Sequence, residues 1–91
     1  MRHRWHVHVV VGDVDQPSRA QLQMLHEYIP GAISHRSKAR ELEMDWDIAS
    51  STLREATDVA DTTVSVAMMT VLGRMSDPKE LRLIAVEEVA P

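Results

Sequence analysis

Cysteine and phenylalanine are both absent from the chain. Without cysteine there is no disulfide scaffold, no thiolate metal site and no cysteine nucleophile, and the composition fits a reducing cytoplasm. Without phenylalanine the core must be assembled from Val, Leu, Ile, Met, Ala and two tryptophans. Glycine occurs only three times, too rarely for a phosphate-cradling loop, and no P-loop or dinucleotide fingerprint is present. No apolar run approaches the ~20 residues that cross a bilayer. Arg2 and Arg4 resemble the charged start of a secretory leader, but His6, His8, Gly12 and Asp13 interrupt any apolar stretch behind them. The expectation is a soluble, unexported, cytoplasmic protein without membrane contact.

An excess of positive charge is missing too. The net charge is −4, and phosphate attraction supplies most non-specific nucleic-acid affinity. The cluster Arg2-His3-Arg4-Trp5-His6 pairs basic with aromatic groups, as single-strand binders do. A row of carboxylates predicted beside it would repel phosphate, so no nucleic-acid partner is expected. The 91 residues make a single domain, 1–91, near the low end of the usual range. A chain this small buries only about two-thirds of its unfolded surface and gains from burial against a partner.

What the chain does have is an unbroken alternation, Glu41-Leu42-Glu43-Met44-Asp45-Trp46-Asp47-Ile48. Successive side chains of a strand point to opposite faces. Leu42, Met44, Trp46 and Ile48 therefore share a buried face, and the four carboxylates share a wet one. Trp5–Val11 is a second strand, with Trp5, Val7, Val9 and Val11 inward and His6, His8 and Val10 outward, ending at Gly12-Asp13. Asp15 or Gln16 is placed to cap a helix with Pro17 in its first turn. Leu22, Leu25 and Ile29, with Tyr28, form its stripe, and Pro30-Gly31 stops it. Ala32–Ser37 reads as a short strand joined through Ser37-Lys38-Ala39 to the acidic one, with Arg36 and Lys38 near Glu41 and Glu43.

Thr52-Leu53-Arg54-Glu55 has the capping-box pattern. It opens a helix whose main face is Leu53, Ala56, Ala60, Val64, Ala67 and Val71, closing at Gly73. From Val64 onward Val66, Met68, Met69 and Leu72 make it apolar nearly all round, which calls for burial on more than one side. After Asp77-Pro78, Glu80–Val89 is the last strand. The order β-α-β-β-α-β predicts an α+β, ferredoxin-like split βαβ fold. Its four-stranded antiparallel or mixed sheet has spatial order 4-1-3-2, with two helices on one face.

Two functional readings follow from this layout. In the first, Val10, Ile84 and Val86 on the open sheet face, or Val66 and Met69 on the second helix, form an apolar interaction surface. The protein is then a non-enzymatic interaction or regulatory module, a homo-oligomer or dimer that also binds a host or self protein. In the second, His6 and His8 point the same way beside Glu43 and Asp45 and bind a metal or small ligand, or exchange protons as a general acid–base pair. Acidic neighbours favour the imidazolium, which weakens metal binding. Ser50 and Ser51 read as helix-start residues. No catalytic residue is therefore assigned, the protein is expected not to be an enzyme, and no metal or cofactor is expected.

The strand Trp5–Val11, the helix closing at Pro30-Gly31, the Glu41–Ile48 strand and the final Leu81–Val89 strand together resemble a protein group. It comprises small uncharacterised ferredoxin-like (βαββαβ) proteins of actinobacterial and phage genomes. That resemblance implies an accessory or regulatory phage-type role and supplies no catalytic residues.

Overall fold

Two hydrophobic periodicities, two residues in the strands and 3.6 in the helices, meet in one core. The computed structural model describes the backbone of residues 2–75 and 77–89, and side chains for 3–75 and 77–86. The elements are β1 (Arg2–Val11), α1 (Arg19–Tyr28), β2 (Ala32–Arg36), β3 (Glu41–Ser50), α2 (Leu53–Ala67) and β4 (Glu80–Val89); one π-helical turn, Met68–Leu72, extends α2. The fold is α+β, with a single antiparallel sheet of order β2-β3-β1-β4, or 4-1-3-2 counted from the β4 edge.

The inward rows line up across the sheet: Val7 opposite Trp46 and Leu83, Val9 opposite Met44 and Leu81, and Val11 opposite Leu42. They pack with Leu25, Ile29, Ala60, Val64, Ala67 and Met68 from the helical layer into one buried cluster. Alanines at 56, 60 and 67 let α2 lie close to the sheet, which is how a core without phenylalanine fills its space. Met68 is fully buried, and Val71 and Leu72 pack against the cluster. The wide turn that carries these residues ends at Gly73, whose φ of 68° is the left-handed cap that glycine adopts most easily. Leu53, expected on the buried stripe, is 51 % exposed at the open first position of α2.

The helix starts differ from the sequence expectation. Asp15 and Gln16 do not cap α1. Ser18 does, accepting from the Gln21 N–H at 3.1 Å while the Gln21 side chain accepts from the Ser18 N–H at 2.8 Å. Pro17 lies before this cap rather than inside the first turn. At α2 the Thr52 hydroxyl accepts from the Glu55 N–H at 3.1 Å. The Glu55 carboxylate, instead of returning to the cap, accepts from the Ser50 hydroxyl at 3.1 Å.

The loop after β1 is tied down from β2 and its turn. The His35 Nε2 donates to the Val14 carbonyl at 2.6 Å, and the Val14 N–H donates to the Arg40 carbonyl at 3.0 Å. The connection between β2 and β3 runs Ser37–Arg40, with Arg40 at φ 53°, so Lys38 sits in the turn rather than on the sheet. Gly31 marks the start of β2. A methyl group there would lie 1.8 Å from the Asp45 carbonyl oxygen and 2.9 Å from the Trp46 Cα, so only glycine lets the chain cross β3 this closely.

Candidate functional site

The face of the sheet opposite the helices collects the outward rows of four strands. The register sets His6 opposite Asp47 on one side and Ile84 on the other. His8 lies between Asp45 and Arg82, and Val10 between Glu43 and Glu80. Side chains directly opposite on neighbouring strands are within reach of each other, and here they meet. The His6 Nδ1 is 2.9 Å from Asp47 Oδ1 and its Nε2 is 3.3 Å from Asp45 Oδ1. The His8 Nδ1 is 2.8 Å from the same Asp45 oxygen, and its Nε2 is 3.7 Å from Glu80 Oε2. Arg4 Nε stands 3.6 Å from the second oxygen of Asp47, and Arg82 pairs with Glu80.

Carboxylate oxygens only accept, so a hydrogen on each ring nitrogen of His6 satisfies both contacts, and that species is the imidazolium. The hydrogen bond to Asp47 raises the His6 pKa above its usual 6.5. Burial opposes the rise, while the hydrogen bond to Asp45 and the charges of both aspartates add to it. A histidine held in this way is a poor metal ligand, since binding needs a free lone pair. Among the described residues no three His, Cys, Asp or Glu side chains are placed to hold a metal ion.

Of the four residues proposed for a ligand site, the structure joins His6, His8 and Asp45 and leaves Glu43 apart. Glu43 lies opposite Val10 and Ser34 and pairs with Arg36 at 2.7 Å. Asp47 takes its place. Both carboxylates were visible on the outward row of the sequence. Only the pairing register, a two-residue choice along the strand, decides which of them meets His6. Glu41 also departs from the wet acidic row: it is 8 % exposed, with Lys79 Nζ at 2.5 Å from its carboxylate. That hydrogen bond, helped by the charge of Glu41, raises the Lys79 pKa. Each carboxylate of the β3 row from Glu41 to Asp47 thus has a cationic or imidazole partner from another part of the chain.

The apolar candidates separate into three situations. Ile84 and Val86 are 54 % and 49 % exposed on β4, an edge strand. The β1–β4 register passes from Ala85 directly to Glu87, so Val86 occupies a bulge. Val66 and Met69 are 45 % and 43 % exposed on the far side of α2, where Val59, at 48 %, extends the same stripe at helical spacing. Val10 is only 6 % exposed, which corrects its place among the surface residues. It lies on a central strand between two long acidic side chains, and its position is closed within the chain itself.

Two open grooves flank the outward face. One, of about 440 Å³, lies between Gly12, Ala39, Glu41, Arg74 and Lys79. The other, of about 520 Å³, is lined by His6, Gly31, Ala32, Asp45, Trp46 and Asp47. It opens beside the start of β2, where β3 continues unpaired on that side, because β2 pairs only with residues 41–45 of β3. Among the described residues no helix is long and apolar enough to cross a membrane. Compared with known proteins, the chain matches no family model, no curated protein and no solved structure.

Proposed function

We propose that this chain is a small non-enzymatic interaction module of ferredoxin-like type that self-associates through the β4 side of its open sheet face. The β-α-β-β-α-β order and the helical layer against one sheet face support the fold label. The observation that carries the function is the exposure of Ile84 and Val86 on an edge strand, beside charged groups already paired within the chain. Partners of opposite sign are in place, so this face offers apolar area and strand edge rather than free charge. A second copy of the chain is the partner. An accessory, phage-type role accords with the resemblance in the sequence, and a cytoplasmic location with the absence of cysteine.

The test is native mass spectrometry of the untagged protein, comparing wild type with Ile84→Asp and Val66→Asp. The reading expects a multimer that survives Val66→Asp and falls to monomer in Ile84→Asp. The reverse pattern moves the interface to α2, and a monomeric wild type refutes self-association.

A second reading rests on one feature, the convergence of His6 Nε2 and His8 Nδ1 on Asp45 Oδ1. A divalent cation there would need a lone pair on each of the two ring nitrogens that now face the carboxylate. Zinc added in the same experiment distinguishes it: a stoichiometric adduct lost on replacing His6 and His8 by alanine would support a metal site.

A further inference from the structure

We draw no further inference here: the strongest candidate, the groove of about 520 Å³ beside the start of β2, has its two aspartates, Asp45 and Asp47, already paired with His6, and nothing in the structure shows what covers it.

Discussion

At the scale of single residues, the outward row of β3 shows how a sequence pattern can be right in parity and incomplete in meaning. Alternation alone places Asp45 and Asp47 beside His6 and His8. It does not reveal that the carboxylates are partnered one by one by Arg36, His6, His8, Arg4 and Lys79, because those partners come from strands and turns as far away in sequence as Arg4 is from Asp47. The same pairing makes His6 a contributor to stability with a definite pH signature. Its pKa is raised in the folded chain above the usual 6.5. The folded state therefore binds the proton more tightly than the unfolded state, and the contribution is complete below about 6.5. It is lost as pH rises through the folded value. Urea denaturation of the Ile84→Asp variant, used so that assembly does not intrude, should show a lower midpoint at pH 8.5 than at pH 6. The loss is modest, since the ring remains in contact with solvent. Adding His6→Gln should flatten that difference; an undiminished difference would place the titration on another group.

At the scale of elements, strands were more legible than helix ends. Two-residue periodicity is carried by most residues of β3 and β1, and the observed strands extend the expected ones only at their ends. A helix start depends on one or two side chains, and three capping-type residues, Asp13, Asp15 and Ser18, compete before α1. Ser18 prevails because Gln21, three residues on, completes the reciprocal bond, whereas Asp15 is drawn away to Arg40 at 3.1 Å. Removing that hydroxyl should be measurable: Ser18→Ala is expected to cost about 1 kcal/mol, read as a lower denaturation midpoint at unchanged slope. Asp15→Ala, the alternative cap, should cost less, since its contact is an exposed ion pair. If the two losses were reversed, the cap assignment would be wrong. The second helix carried the opposite ambiguity. Its all-round apolar end looked like a demand for extra burial, yet Met68, Val71 and Leu72 are accommodated by the core of the same chain. Val59, Val66 and Met69 are left outside.

At the scale of the whole molecule, size and surface set the terms. One helical layer on one sheet leaves the other sheet face with solvent as its only neighbour among the described residues, and the particle measures 40 × 22 × 19 Å. A domain of 91 residues has a stability of roughly 5–14 kcal/mol, so cover over the β4 side adds a substantial fraction. If assembly buries Ile84 and Val86, folding and association become one equilibrium, and the melting temperature must depend on protein concentration. A hundredfold increase in concentration amounts to about 2.7 kcal/mol of mass action. For a domain of this size that is a rise of several degrees in melting temperature. Differential scanning calorimetry at pH 6 across that range should show the rise in wild type and a flat line in Ile84→Asp. Val66→Asp should follow wild type, because the α2 stripe lies outside the proposed contact. A flat wild-type line would make the open face a solvated surface, with Ile84 and Val86 the ordinary apolar remainder that folded proteins carry there.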